Sequence, residues 1–154
     1  MATTVVSIAD SELASYLAHA NAEYLDERLK AGDSREYAEQ RVAESNEQYF
    51  PGGRPAPGHQ VLRVLHDGEA VGWLWLGPMA AEHPLDWWVF DVEIDEEHRG
   101  KGLGRAAMLL AEEVARAAGA VKLGLNVFGH NTVAQRLYST LGYEVTAINM
   151  SKPL

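Results

Sequence analysis

The residues best suited to chemistry lie between Asp91 and Arg105, in the run DVEIDEEHRGKGLGR. Gly100, Gly102 and Gly104 alternate with Lys101 and Leu103, which removes side chains where a backbone must turn tightly or approach a ligand. Amides of such a turn, leading into a helix N-terminus, point one way and form an anion site. Arg99, Lys101 and Arg105 add three cations there, in a chain that is otherwise acidic. A diphosphate is the natural guest. Just upstream, Asp91 and Glu93 alternate with Phe90, Val92 and Ile94, so a strand over this stretch carries both carboxylates on one face. Buried carboxylates are costly unless paired, and a desolvated one has a raised pKa that suits a general base.

Three glycine patterns compete for this turn. A P-loop needs Gly-Lys followed by Ser or Thr, but Gly102 follows Lys101. Gly102-x-Gly104-x-x-Ala107 fits the relaxed dinucleotide pattern, yet that loop follows its strand directly and opens a long βαβ series. Here the polar run Asp95–Arg99 intervenes, and too little chain follows Gly104 for such a series. The third pattern, Arg-x-x-Gly-x-Gly, is filled by Arg99, Gly102 and Gly104.

The elements that must position these residues can be read from periodicity. Thr3–Ile8 reads as a strand. Asp10 or Ser11 can cap a helix with the stripe Leu13, Leu17, Ala20 and Tyr24, ended by Gly32. Asp33 and Glu36 resemble a capping box for a second helix with Ala38, Val42, Ser45 and Tyr49 inward. Phe50–Gly58 is a loop by composition. His59–Leu65 and Glu69–Leu76 form a hairpin through Asp67-Gly68, with Gly77-Pro78 as its stop. Trp87–Ile94 is the next strand. A helix over Leu103–Ala118 carries the stripe Leu103, Ala107, Leu110, Val114 and Ala118, with Gly119 as C-cap. Val121–Val127 is a strand. Asn131 can cap a last helix bearing Val133, Leu137 and Leu141, and Tyr143–Met150 reads as a sixth strand. The order β-α-α-β-β-β-α-β-α-β describes one α+β domain, residues 1–154, around a central sheet.

Composition narrows the function classes. The 154 residues include 22 acids and 13 bases, a net charge of -9, and no cysteine. Disulfides, Cys-based zinc sites and a Cys nucleophile are excluded. The six histidines show no metal-ligand spacing, so no metal is expected. The acidic balance argues against nucleic-acid binding. No apolar run approaches a membrane span, and the N-terminus lacks a signal-peptide pattern, so a cytoplasmic location is expected. Ten acids against four bases in the first 50 residues form either a solvated helical surface or a rim that attracts a cationic acceptor.

These motifs resemble those of the GNAT family, the Gcn5-related N-acetyltransferases. Arg99-x-x-Gly102-x-Gly104 is similar to the family's acyl-CoA pyrophosphate motif. Asn131–Tyr143 (NTVAQRLYSTLGY) is similar to its second motif, an Asn, then Ala-x-x-x-Tyr, then Leu-Gly-Phe/Tyr. Leu125–Asn131 (LNVFGHN) resembles a bacterial subgroup without assigned acceptors. The resemblance implies a mixed, mostly antiparallel sheet of about six strands, helices on both faces and a splayed parallel pair, Trp87–Ile94 and Val121–Val127.

It also implies acetyl-CoA as co-substrate and a small-molecule or protein amine as acceptor, with direct attack in a ternary complex. The backbone of Val92, Glu93 and Ile94 would pair with the pantetheine arm. The Ile94 N–H would hold the thioester oxygen, since preorganised donors at a developing oxyanion are a large catalytic term. Arg99, Gly100, Lys101, Gly102, Leu103, Gly104 and Arg105 would hold the diphosphate.

Asn131 reads both as a helix cap and as a cofactor contact. Tyr138 matches the family's general acid, and a phenol near pKa 10 can protonate a leaving thiolate. Its alternative is a core aromatic. Some members use a Glu base on the second splayed strand, where this chain has Asn126. That leaves Asp91 and Glu93 as base candidates, with His130 a third. Asn126 also keeps open a CoA-binding sensor that lacks turnover. One or two of Trp73, Trp75, Trp87 and Trp88 could line the acceptor groove. A monomer and a homodimer both fit.

Overall fold

The computed structural model describes residues 2–154. The element order is β1 (Thr3–Ser7), α1 (Asp10–Lys30), α2 (Arg35–Tyr49), β2 (Gln60–His66), β3 (Glu69–Ala80), β4 (His83–Ile94), α3 (Leu103–Ala117), β5 (Lys122–Leu125) and α4 (Thr132–Thr140). Short 3-10 turns cover Pro51–Gly53 and Glu96–His98. The strands form one sheet in the order β1-β2-β3-β4-β5. The first three pairings are antiparallel and β4–β5 is parallel.

Two apolar clusters cover the two faces of the sheet. On one face, α3 supplies Leu103, Ala107, Met108, Ala111 and Ala115, packed with Leu74, Leu76, Trp87, Val89 and Ile94. On the other, Leu13 and Tyr16 of α1 and Phe50 pack with Val61 and Trp75. The strong apolar stripe of α3 is what seats its N-terminus beside the end of β4.

The β2–β3 hairpin turns at Asp67 (φ 50°) and Gly68 (φ 82°), the two positive φ values that a twisted two-residue turn requires. β3 runs through Gly77-Pro78 to Ala80, and β4 begins at His83, so both strands are longer than their composition suggests. Pro78 is tolerated because the β3–β4 register shifts beside it. The second helix is capped by Ser34, whose side chain accepts from the Tyr37 N–H at 3.2 Å, rather than by Asp33.

Two features of the sheet build the site. In β4, Leu76 faces Val89 while Trp75 faces Asp91, so Phe90 is an inserted bulge residue. Val89 and Ile94 therefore both reach the α3 core, although their spacing is odd. Asp91 and Glu93 emerge together on the α1 side, where each bonds an α1 residue. Secondly, parallel β4–β5 pairing spans only Asp86–Val89 against Lys122–Leu125. Beyond Val89 the two strands separate.

The sixth strand expected at Tyr143–Met150 does not form, and the sheet has five strands. Val145, Thr146 and Ile148 have strand propensity, but a strand needs a neighbour to take its hydrogen bonds. Tyr143 instead ties the chain to the helical layer: its N–H donates to the Tyr138 carbonyl at 3.0 Å and its hydroxyl to Glu112 of α3 at 3.1 Å. Residues 144–154 run on, exposed throughout.

Candidate active site

The gap between β4 and β5 is edged by free backbone groups. The Asp95 N–H donates to the Val71 carbonyl at 2.8 Å, towards β3. Alternation then directs the N–H groups of Val92 and Ile94 to the β5 side, where no strand pairs with them. The Ile94 carbonyl is occupied by the Arg99 Nε at 2.8 Å, which leaves the Ile94 N–H as the free donor of that residue.

At the end of β4, Gly100 (φ 78°) and Gly102 (φ 76°) adopt the left-handed conformation, and a Cβ on either would meet nothing within 4 Å. Open space and positive φ together make a shallow backbone cradle. The first intrahelical bond of α3 runs from the Ala106 N–H to the Gly102 carbonyl at 3.1 Å. The amides of Leu103, Gly104 and Arg105 precede it and are free. Lys101 and Arg105 are exposed around them, and Arg105 donates to Thr140 Oγ1 at 3.1 Å. This donor set fits a diphosphate.

Beside the N-terminus of α3 stands α4, joined to it by the bond from Arg105 to Thr140. The Asn131 side-chain oxygen accepts from the Ala134 N–H at 3.1 Å, so its capping role is realised. Tyr138 is half-buried, and its hydroxyl bonds no other group among the described residues. Burial, then the nearby negative charge of Asp91, pushes its pKa above the usual phenol value, so it holds its proton.

Asp91 is held beneath α1. Its Oδ2 accepts from the Tyr16 hydroxyl at 2.6 Å. Burial raises its pKa to about 6, although the Tyr16 bond pulls it down. The Tyr16 hydroxyl is itself raised well above its ordinary value, mainly by burial and secondly by Asp91. Glu93, two residues on, receives both oxygens' contacts from His19 Nε2, at 3.0 and 2.9 Å. That bond is the largest cause of the raised His19 pKa. Tyr16, His19, Glu93 and Trp73 line a cavity of about 490 Å³, together with Glu23 and Arg99. The Arg63 guanidinium lies 3.6 Å over the Trp73 ring and pairs with Glu12.

The structure thus brings together Asp91, Glu93, the Val92–Ile94 edge and the Arg99–Arg105 turn. His130 sits apart from this cavity, where its Nε2 bonds Glu27 at 2.6 Å. Asn126 is exposed just beyond β5. Of the four tryptophans, Trp75 and Trp87 are buried on opposite faces, Trp88 lies over Gly124, and Trp73 reaches the cavity.

Sequence reasoning missed Tyr16 and His19. Their spacing with Glu23 follows one helical face, so the signal was a polar stripe beside the apolar one. Among the described residues, no group of three or more metal-type side chains converges and no helix is long and apolar enough to cross a membrane.

A family model described as the Acetyltransferase (GNAT) family matches residues 16–143. The chain belongs to the GNAT family of acetyltransferases. This acetyltransferase is similar to two proteins of Bacillus subtilis (strain 168). It is 34% identical over 146 residues to the uncharacterized N-acetyltransferase YycN, covering 93% of each chain. It is 31% identical over 159 residues to the uncharacterized N-acetyltransferase YdgE, covering 100% of this chain and 99% of that one.

The crystal structure of YycN superposes with a TM-score of 0.89 at 32% identity, covering 99% of both chains. A PaiA N-acetyltransferase from Thermoplasma acidophilum, in complex with coenzyme A, shares the fold at a TM-score of 0.64. It is 18% identical and the match covers 97% of this chain and 94% of that one. Membership of this family makes the GNAT acetyltransferase an acyl-CoA-dependent enzyme.

Proposed function

We propose that this acetyltransferase moves an acetyl group from acetyl-CoA to a primary amine, by direct attack of the amine within a ternary complex. The observation that carries the reading is the pairing of two proton-handling groups of opposite character. Asp91 titrates near 6, whereas Tyr138 keeps its proton, and the two lie close enough for the Asp91 charge to act on the Tyr138 hydroxyl.

Acetyl-CoA supplies the activated acyl group as a thioester. The chain's own residues do the rest. Gly100–Arg105 amides with Lys101 and Arg105 bind the diphosphate, Arg99 braces the end of β4 through the Ile94 carbonyl, and Asn131 adds a contact from the N-terminus of α4. The free edge of Val92–Ile94 takes the pantetheine arm as a strand would, and the Ile94 N–H faces the acyl oxygen.

An alkyl amine is mostly protonated at neutral pH and must lose that proton before attack. Asp91 takes it, directly or through a water. Tyr16 holds the carboxylate in place and keeps its pKa from rising further. Glu93 with His19 forms the next acceptor along the cavity wall. Tyr138 donates its proton to the leaving sulfur.

The test is acetyl-CoA-dependent turnover across an amine panel, read as thiol release. Acetylation of at least one amine, lost in Tyr138→Phe, supports the reading. Tight acetyl-CoA binding without transfer to any amine contradicts it.

A further inference from the structure

The first helix crosses the site on one stripe of side chains. Glu12, Tyr16 and His19 recur at i, i+4 and i+7, so they lie on one face of α1. Each holds a partner on the sheet. Glu12 pairs with Arg63 of β2, Tyr16 donates to Asp91, and His19 bonds Glu93. The sheet answers with a row across three strands: Arg63 faces Trp73 in the β2–β3 pairing, and Trp73 faces Glu93 in β3–β4. Directly opposed residues share a sheet face, so all three look towards α1.

Apolar contact presses α1 onto the sheet but sets its position poorly. Leu13 and Tyr16 are its buried residues, and apolar burial is non-directional. Ala9, at the N-cap, offers no side-chain acceptor to fix the helix start. A slip of one residue would carry Tyr16 about 1.5 Å along the axis and about 100° around it, out of reach of Asp91. Position must come from directional contacts, and Arg63 makes two. Its guanidinium stacks 3.6 Å over the Trp73 ring and pairs with Glu12, one turn before Tyr16. The Trp73 ring in turn lies 5.1 Å from the Tyr16 ring. Ion pairs near the surface gain little, largely because two long side chains must be ordered. Here the stack already orders the arginine, whose planar fork suits both contacts.

We propose that Arg63 is a positioning residue for Asp91: through Glu12 and Trp73 it fixes where Tyr16 presents its hydroxyl to the carboxylate. Its weight in turnover rests on Asp91 being the base. Arg63 does not line the cavity. The groups that act on the Asp91 charge are Tyr16, His19 and Glu23 of α1 and Glu93 of β4, and that charge acts in turn on Tyr138 of α4. An effect of Arg63 on Asp91 therefore passes through Tyr16.

Carbon-13 NMR of the side-chain carboxyls reads the titration of Asp91 without turnover, its signal assigned by loss in Asp91→Asn. In Arg63→Met the midpoint should move up by about half a pH unit or more, the direction of a lost hydrogen bond to the charged form. Tyr16→Phe should move it at least as far, and the double variant no further than Tyr16→Phe. The acid limb of the rate profile should follow. Glu12→Gln, which keeps the shape of the side chain, should shift both in the same direction by less. An unmoved midpoint in folded Arg63→Met overturns the proposal. If that variant misfolds, an unmoved midpoint in Glu12→Gln does so. An added shift in the double variant also overturns it, since the arginine charge would then act directly. A midpoint that moves while the rate limb stays put upholds the positioning and removes Asp91 as the base.

Discussion

The Tyr16 hydroxyl donates to Asp91 Oδ2 at 2.6 Å, joining the first helix to the bulged strand. The bond stabilises a charge that burial opposes. Burial wins, and Asp91 titrates at about 6. A carboxylate tuned this way is ionised at neutral pH yet basic enough to accept a proton from an ammonium-derived amine.

Asp91→Asn is therefore expected to lower kcat by about 10²–10⁴-fold, the range of a general base. In the unaltered enzyme the rate should fall as pH drops through about 6, and the variant should lack that limb. A pH–rate profile of both proteins checks this.

The same substitution has a stability consequence of known sign. The folded-state pKa of Asp91 is raised from 3.8 to about 6, so its contribution is fully favourable only below 3.8 and is lost as pH rises through 6. Asn carries no charge and escapes the loss. Asp91→Asn should be more stable above pH 6, by at most about 3 kcal/mol, with the gap closing towards pH 4. Melting curves at several pH values measure it.

Tyr16→Phe removes the one hydrogen bond that lowers the Asp91 pKa. The acid limb of the rate profile should then move to higher pH, with activity lost near pH 6 and largely recovered at pH 8. An unmoved limb would show that Tyr16 only fills space.

His19 owes its raised pKa first to Glu93. Glu93→Gln should bring the His19 ring back towards its ordinary value, as read by proton NMR of the ring across a pH titration. No change on substitution would separate the two residues.

Tyr138→Phe should lower kcat by about 10²-fold while acetyl-CoA affinity stays close to wild type, because its unbonded hydroxyl acts in the departure of sulfur and not in binding. Equal losses in binding and turnover would point to a packing role.

Much of the site was legible in the sequence because glycine and charge patterns act locally. Gly100, Gly102 and the α3 N-terminus needed only their spacing. The common face of Asp91 and Glu93 followed from alternation within a few residues. What the sequence did not reveal depends on long-range pairing. The bulge at Phe90 shows only against β3, and the Tyr16 and His19 contacts join residues about 75 positions apart. Tyr143–Met150 reads as a strand because propensity is local, whereas forming one requires backbone pairing, which residues 144–150 do not make.

Calorimetric titration tests most directly whether the Gly100–Arg105 turn binds the diphosphate of acetyl-CoA. Acetyl-CoA is expected to bind, NAD not to compete, and a Gly102→Glu/Gly104→Glu variant to lose the binding, because Gly102 leaves its left-handed conformation and two carboxylates are added beside an anion site. No binding by the unaltered protein, or preference for NAD, would contradict it.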